Sequence, residues 1–266
     1  MTKAMTTYPI NAEPMTARPM SAMFTKLAAL LIAGLMTVGV AAASEGEGME
    51  PANIRLDDVA SMQRGARLFF NYCSGCHSLQ YMRYSRIAED LQLDPKDVEK
   101  NFVFTGGKIG DHAISHMPAE QAAAWFGKAP PDLSLEARAK GSDWIYNYLK
   151  SFYVDPSRPL GWNNTVFPNV SMPNPLWELQ GIQVAQMKPA EKGHDPEIEK
   201  LELKTPGKED AQQFDRTARD LSAFLQYAGE PAALKREAMG VWVLLYLALF
   251  TFIAYLLKLE FWKDVH

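Results

Sequence analysis

Residues 73–77 read Cys73-Ser74-Gly75-Cys76-His77 and hold the only two cysteines in this chain of 266 residues. The spacing Cys-x-x-Cys-His is the pattern of a c-type haem attachment site. Each thiol can add across one vinyl group of a haem, and the histidine that follows can place its imidazole under the iron. The stretch therefore predicts one covalently bound haem c, held by Cys73, Cys76 and His77.

Three other interpretations of a cysteine pair fit the sequence less well. A structural zinc site uses four protein ligands, usually from two such pairs, and this sequence has one pair. A thioredoxin-like redox pair requires a surrounding βαβ pattern, which the sequence near residue 73 does not show. A disulfide between residues three apart closes a very short loop and would add little stability. Haem attachment is the interpretation that also gives His77 a role.

The N-terminal region has the pattern of a secretory signal. An apolar stretch at residues 27–40 follows a lysine and ends at three alanines, 41–43, which suit cleavage by a signal peptidase. The stretch is shorter than a bilayer-spanning helix. We predict a cleaved signal peptide over residues 1–43, with Met20 or Met23 as an alternative start; a retained N-terminal anchor is the competing interpretation. Export agrees with the haem motif, because this covalent attachment takes place outside the cytoplasm.

The remaining chain is acidic. The whole sequence has 27 basic and 31 acidic side chains, of which residues 1–43 hold three and one, so 24 basic and 30 acidic side chains remain. An excess of carboxylates argues against nucleic acid as a partner, since nucleic acid attracts clustered Lys and Arg. It suits docking to a basic soluble protein by long-range attraction, and it suits ordinary solubility equally well.

A second apolar segment lies near the C-terminus. Residues 238–257 carry no charge, and 20 helical residues cover a hydrocarbon core of roughly 30 Å. Aromatic residues near the ends, such as Trp242 and Trp262, suit the membrane interface. We predict a transmembrane anchor at residues 237–258, an extracytoplasmic domain at 44–236 and a short cytoplasmic tail at 259–266. A buried core helix is the alternative interpretation.

The domain between the two apolar segments reads as mainly α-helical. Apolar residues recur at spacings of three and four over residues 56–72, over the stretch that follows Ser142 as a possible N-cap, and over 209–229. These patterns predict three amphipathic helices, the first of which leads directly into the haem motif. Strand signals are few. The stretches 105–131 and 155–181 look like long loops, and 188–208 is charged.

A haem bound through His77 leaves one axial position, for which methionine or histidine is the usual ligand in electron-transfer proteins. Met117, Met172, His112, His116 and His194 are the candidates outside the predicted helices. We favour Met172, because prolines at 168, 173 and 175 stiffen the loop around it and the loop follows the middle helix. Core packing is the commoner role of any single methionine.

Several segments together resemble the cytochrome c1 family, the haem c subunits of quinol–cytochrome c reductases, or bc1 complexes. The haem motif is followed by Ser78-Leu79-Gln80-Tyr81, and the segment 129–134 reads Ala-Pro-Pro-Asp-Leu-Ser. Met172-Pro173, the helix ending in Gly229-Glu230-Pro231, and a single C-terminal anchor follow in that order. The resemblance covers most of the chain beyond the signal.

The resemblance implies a cytochrome c-like helical domain with long loop insertions plus one C-terminal transmembrane helix. It implies His77 and Met172 as axial ligands of the haem iron, and it places Pro130, Pro131 and Arg138 at the haem pocket near the propionates. Arg138 suits a propionate by charge, and Lys140 offers a second cation nearby.

The same resemblance implies the function and the partners. A redox subunit of this kind passes single electrons from the Rieske iron–sulfur protein to a soluble or membrane-bound cytochrome c, and makes no substrate bond itself. Cytochrome b and the Rieske protein are then its neighbours in a dimeric complex, in a bacterial inner membrane with the haem domain on the periplasmic side. A free-standing membrane-anchored electron shuttle and a haem sensor or peroxidase are the alternative functions.

Overall fold

The computed structural model describes residues 48–188 and 197–264 of the chain. The predicted signal peptide, residues 1–43, lies outside the described residues, and so does the ligand candidate His194. Within the described residues the secondary structure comprises nine helices and six short strands. The helices in chain order are α1 Val59–Tyr72, α2 Tyr84–Asp90, α3 Pro95–Phe102, α4 Ala119–Phe126, α5 Glu136–Lys140, α6 Ser142–Lys150, α7 Trp177–Gln180, α8 Ala211–Gly229 and α9 Ala233–Trp262.

The strands form two small sheets. The strands in chain order are β1 Leu79–Arg83, β2 His112–Ala113, β3 Phe152–Val154, β4 Trp162–Asn164, β5 Gly181–Met187 and β6 Ile198–Pro206. The first two pair antiparallel directly after the haem motif. The other four form a sheet in the order β4-β3-β5-β6, in which β3 and β5 are parallel and the outer pairs are antiparallel.

The core of the domain forms where α1 packs against α8. Gly65 of α1 faces the backbone of α8, and a methyl group built on it would overlap the carbonyl oxygen of Asp220. The buried Asp220 carboxylate accepts two hydrogen bonds from Arg64, at 2.6 and 2.9 Å, and one from Ser61 at 2.6 Å. Phe69 and Phe224 add an aromatic contact across the same helix pair. This pairing fixes the end of α1, where the haem motif begins.

The three helices expected from apolar periodicity are present as α1, α6 and α8. Asp58 caps α1 by accepting a hydrogen bond from the Ser61 backbone, and Asp210 caps α8 in a reciprocal capping box with Gln213. The expected N-cap of α6 is different, since the helix begins at Ser142 itself and Gly141 precedes it without a side-chain cap. Helix ends of this kind differ by one residue when judged from sequence alone.

The expectation of few strands and long loops was wrong in two places. The stretch 105–131 contains β2 and α4, and 155–181 contains β4 and α7. The charged stretch at 188–208 carries β6, where Leu201 and Leu203 alternate with charged residues. These elements are short, or have polar residues at their buried positions as β4 does, so they lack the long apolar runs by which periodicity is recognised.

Helix α9 differs from all the others because no part of its apolar stretch is buried in the protein. The segment Lys235–Trp262 is long and apolar enough to cross a membrane. Three residues, 230–232, separate it from the end of α8, and an ion pair between Glu230 and Arg236 lies at the junction. The mainly α-helical class with one C-terminal apolar helix is therefore confirmed.

Candidate functional site

The haem motif forms one tight turn at the end of α1. Cys73 is the C-cap residue, and its N–H donates to the Phe69 carbonyl at 2.8 Å. The N–H groups of Cys76 and His77 both donate to the Cys73 carbonyl, at 3.0 and 2.9 Å. The side chains of Cys73, Cys76 and His77 are thus all carried by one turn, which directly continues helix α1.

The two cysteines are free thiols and partly buried. Burial raises the pKa of Cys73 to about 12, and burial also raises the pKa of Cys76. Both side chains are therefore protonated at neutral pH, and no disulfide joins them. Their spacing on one turn is what two thioether bonds to the same haem require.

The orientation of His77 is set by the proline segment. Its Nδ1 atom lies 2.7 Å from the carbonyl oxygen of Pro131. A carbonyl can only accept, so Nδ1 carries the proton and the Nε2 lone pair is left for a metal. Burial lowers the pKa of His77, which keeps the imidazole neutral, the form that ligates a metal. His77 is thus oriented and protonated as an axial ligand should be.

The segment 129–134 is hydrogen-bonded to the residues that follow the haem motif. The Asp132 carboxylate accepts from the backbone N–H groups of Gln80 and Ser134, both at 2.9 Å. The Leu133 N–H donates to the Ser78 carbonyl at 2.9 Å. These hydrogen bonds join the two segments side by side. They thereby fix the position of the Pro131 carbonyl relative to His77.

Met172 contacts Tyr148, a member of an aromatic stack on α6. The Tyr148 hydroxyl donates to the Met172 sulfur at 3.6 Å. The Tyr148 ring stacks on Trp144 with centroids 4.9 Å apart, and Phe167 meets Trp144 edge-on at 6.3 Å. Burial, followed by the nearby charge of Glu136, raises the pKa of Tyr148, so its hydroxyl stays protonated and able to donate.

Glu136 raises the pKa of two side chains of the candidate site. For His77 this effect of its charge is small beside burial, which lowers the pKa of the imidazole. For Tyr148, which donates to the Met172 sulfur, it adds to burial, which raises the pKa of the hydroxyl.

A cleft with an aromatic and aliphatic lining opens beside His77. Its lining residues are Phe70, Ser74, His77, Tyr84, Phe102, Phe104, Thr105, Ala113 and Ile114. Phe104 and Ile114 are 56% and 50% exposed, so the cleft presents apolar surface to solvent. Two thiols on one turn and an oriented imidazole beside apolar walls are what the attachment side of a c-type haem requires. Met172 is not among the residues that line this cleft.

The other predicted residues lie on the segment 130–140, which contacts His77 through the Pro131 carbonyl. Pro130 is partly buried and Pro131 exposed. Arg138 is exposed on α5, and its Cγ atom approaches Gly229 at the end of α8. Lys140 lies over the Trp144 ring, 5.4 Å from its centroid, and so points toward the aromatic stack beside Met172.

The remaining ligand candidates of the described residues lie on β2 and on the segment between β2 and α4. His112 belongs to β2 and is partly buried, and His116 is exposed. The Met117 N–H donates to the Ser115 hydroxyl at 3.3 Å, and that hydroxyl donates to the Gly75 carbonyl at 2.8 Å. Ser115 therefore attaches the segment that carries Met117 to the haem-motif turn.

Sequence reasoning missed the roles of Tyr148, Trp144 and Asp132. The first two were counted only as apolar positions of a helix, and Asp132 only as part of the resemblance. Their partners are 24, 23 and 52 residues distant in sequence. A local pattern cannot reveal such pairs; the clustering of aromatic residues on one face of α6 was the available signal.

Comparison with known proteins gives a consistent result. The family model described as "Cytochrome C1 family" matches residues 54–265. Cytochrome c1 of Allochromatium vinosum is 49% identical over 241 residues, covering 90% of this chain and 98% of that protein. The ammonia monooxygenase gamma subunit of Nitrosomonas europaea is 40% identical over 238 residues, covering 89% and 97%. The mitochondrial cytochrome c1 haem protein of Schizosaccharomyces pombe is 29% identical over 230 residues, covering 78% and 68%.

Proposed function

The chain belongs to the cytochrome c1 family, and from that membership we propose that it is the haem c subunit of a quinol–cytochrome c reductase, or bc1 complex. In this role it passes single electrons from the Rieske iron–sulfur protein to a soluble or membrane-bound cytochrome c. It is a redox subunit that makes and breaks no substrate bond.

One haem c is the cofactor of this family, and Cys73 and Cys76 are the thiols that would hold it. The bound haem supplies an iron that cycles between ferric and ferrous states. His77 presents a neutral imidazole whose free nitrogen faces away from Pro131. The pair of thiols prevents the haem from leaving, and α1 holds the turn in place by its contact with α8.

The hydrogen bond between His77 and the Pro131 carbonyl is the observation that carries this proposal. The Pro131 carbonyl belongs to the segment 129–134, which Asp132 and Leu133 join to the residues after the haem motif. A hydrogen bond of this kind orients a ligating imidazole and raises its basicity. It leaves the Nε2 lone pair of His77 available to the iron.

We propose Met172 as the second axial ligand. It is supported by the Tyr148 hydroxyl, which donates to the sulfur at 3.6 Å, and by the three prolines at 168, 173 and 175 that stiffen the loop around it. A methionine ligand raises the reduction potential relative to a second histidine, and a six-coordinate iron leaves no position for O2 or peroxide. We further propose that Pro130, Pro131 and Arg138 border the haem, with Lys140 as a second cation near the propionates.

The membrane arrangement is part of the same proposal. Residues 1–43 would be a cleaved signal peptide, 44–236 a periplasmic haem domain, 237–258 the anchor and 259–266 a cytoplasmic tail of a bacterial inner-membrane protein. The apolar helix Lys235–Trp262 supports the anchor. Cytochrome b and the Rieske protein would be its neighbours, in a dimeric complex.

The ligation is tested by an optical spectrum of the oxidised protein. We expect the weak red band of a methionine–ferric haem in the wild type, and its loss in Met172→Leu with unchanged covalent haem content. Met117→Leu is the matched control and should keep the band. Ready binding of CO or peroxide by the untreated wild type would contradict electron transfer and favour a sensor or peroxidase.

The place in a complex is tested by purification in mild detergent. We expect haem b and a [2Fe–2S] protein to copurify, seen in one redox difference spectrum. Isolation of the chain without either would favour a free-standing shuttle. Ammonia-dependent O2 uptake by the isolated assembly would instead favour the activity for which the Nitrosomonas relative is named.

A further inference from the structure

Two buried amide side chains stand at the ends of the loop that carries Met172. This loop, residues 165–176 and called here the Met172 loop, lies between β4 and α7. Asn164 precedes it and is 1% exposed, and Asn174 lies near its end and is 3% exposed. A buried amide must be hydrogen-bonded to be tolerated, so the partners of these two side chains define what the loop is attached to.

Asn164 attaches the start of the Met172 loop to α6. Its Nδ2 atom donates to the Tyr148 carbonyl at 2.8 Å. Its Oδ1 atom accepts from the backbone N–H groups of Val166 and Phe167, at 2.9 and 3.1 Å. One side chain therefore joins the last turn of the helix to the first turn of the loop.

Asn174 and Gln180 attach the end of the loop to the same helix. Asn174 donates from Nδ2 to the Gln180 side-chain oxygen at 2.8 Å, and its own oxygen accepts from the Leu176 N–H at 2.9 Å. Gln180 then donates from Nε2 to the Lys150 carbonyl at 2.9 Å. Gln183 donates to that carbonyl as well, at 2.9 Å.

Both attachments end on carbonyl groups of the last turn of α6, where the helix leaves carbonyls without a full set of helical partners. The Tyr148 carbonyl also accepts from the Ser151 N–H at 3.3 Å. The same turn supplies the Tyr148 hydroxyl that contacts the Met172 sulfur. The loop is therefore held at both ends and at Met172 by one helix, and the hydrogen-bond partners of the two attachments lie on α6, α7 and the loop itself.

We propose that Asn164 and the Asn174–Gln180 pair are positioning residues that keep Met172 on the haem iron, and that they set how easily an external ligand replaces it. The inference rests on the proposed function, because it assumes Met172 as the axial ligand. Each attachment opposes the outward movement of the loop that must occur before another ligand can reach the iron.

Imidazole is the probe, because it binds ferric haem only after the methionine leaves. We would titrate the oxidised full-length protein in mild detergent with imidazole and follow the methionine–ferric band. Asn164→Ala and Gln180→Ala should each bind imidazole about tenfold more tightly than the wild type, a change of about 1.4 kcal/mol. Gln180→Ala leaves the Lys150 carbonyl satisfied by Gln183, so its effect falls on the loop side, where the Asn174 amide loses its acceptor.

Val98→Ala is the control for general loosening of the domain. Val98 is 1% exposed in α3, and its truncation should lower the urea midpoint without changing the imidazole affinity. Affinities within twofold of the wild type for both amide variants overturn the inference, and so does an equal gain in Val98→Ala. If Asn164→Ala fails to assemble with haem, Gln180→Ala decides the question.

Failure of this inference and failure of the proposed ligation give different results. If the wild type lacks the methionine–ferric band, Met172 is not the ligand. The proposed ligation and the positioning role are then both ruled out. A wild type with the band and amide variants that bind imidazole normally leaves the ligation standing and removes only the positioning role.

Discussion

The Tyr148 hydroxyl lies 3.6 Å from the Met172 sulfur, and this contact is the link between the aromatic face of α6 and the proposed distal ligand. A hydroxyl that donates to a thioether withdraws electron density from the sulfur. The sulfur then stabilises ferric iron less, so the contact favours the ferrous state.

Removing that hydroxyl should lower the reduction potential. A net hydrogen-bond contribution of about 0.5–1.5 kcal/mol corresponds to roughly 20–60 mV for a one-electron couple. We therefore expect Tyr148→Phe to lower the midpoint potential by about that amount in a spectroelectrochemical titration. Tyr153→Phe, on the neighbouring strand β3, is the control and should leave the potential unchanged. An equal or higher potential in Tyr148→Phe would show that the hydroxyl does not act on the ligand.

The close approach of α1 and α8 at Gly65 should not tolerate a side chain. Because a methyl group there would overlap the Asp220 carbonyl oxygen, Gly65→Ala must push the helices apart. We expect a loss of roughly 1–3 kcal/mol in the free energy of unfolding, measured by urea denaturation. Gly110→Ala is the matched control, since a methyl group at Gly110 meets nothing within 4 Å. Equal midpoints for the two variants would contradict the packing described.

Acid should weaken the contact between α6 and α8 through Asp215. Burial raises its pKa, but hydrogen bonds from Tyr146 and Lys150 and the charge of Arg219 outweigh this, and the pKa lies below its usual value of 3.8. A carboxyl with a lowered pKa contributes stability above its unfolded pKa and loses it as pH falls through the folded value.

The corresponding measurement is the urea midpoint at pH 7 and at pH 3. We expect Asp215→Asn to be less stable than the wild type at pH 7, and this difference to shrink at pH 3. Glu99→Gln, an exposed position on α3, should differ little from the wild type at either pH. A difference for Asp215→Asn that stays constant with pH would rule out its charge as the cause.

The anchor is tested by truncation. A chain that ends at Arg236 lacks the apolar stretch of α9. It keeps the core helix α8 and the ion pair between Arg236 and Glu230. We expect it to appear in the soluble periplasmic fraction with its haem absorbance intact. Truncated protein that still sediments with membranes would indicate a second attachment, such as a retained N-terminal segment.

The sequence predicted the parts of this molecule that depend on local spacing. The haem motif is a five-residue pattern, α1, α6 and α8 have strong apolar periodicity, and α9 is an uncharged run, so each was recognisable alone. Met172 was favoured on proline content and on resemblance. The contacts around it, including Tyr148 and Asn164, join residues far apart in the chain, and only the folded chain brings them together.

The four-stranded sheet could not be predicted either, and the reason is different. Strands β3 and β4 are three residues each, and β6 has most of its side chains in solvent, so neither length nor alternation of buried residues was available as a signal. Asn163 and Asn164 fall in a stretch that was expected to be a loop. They are buried in β4, where their side-chain amides bond to the backbone around them.

Only three residues separate the core helix α8 from the membrane helix α9. Fully extended, they span no more than roughly 11 Å, and the ion pair between Glu230 and Arg236 shortens that reach. A domain on so short a tether cannot travel between an electron donor and an acceptor. Where an electron has to cover a long distance, another molecule must therefore carry it to or from this protein. The haem site itself stays at a nearly fixed height above the membrane.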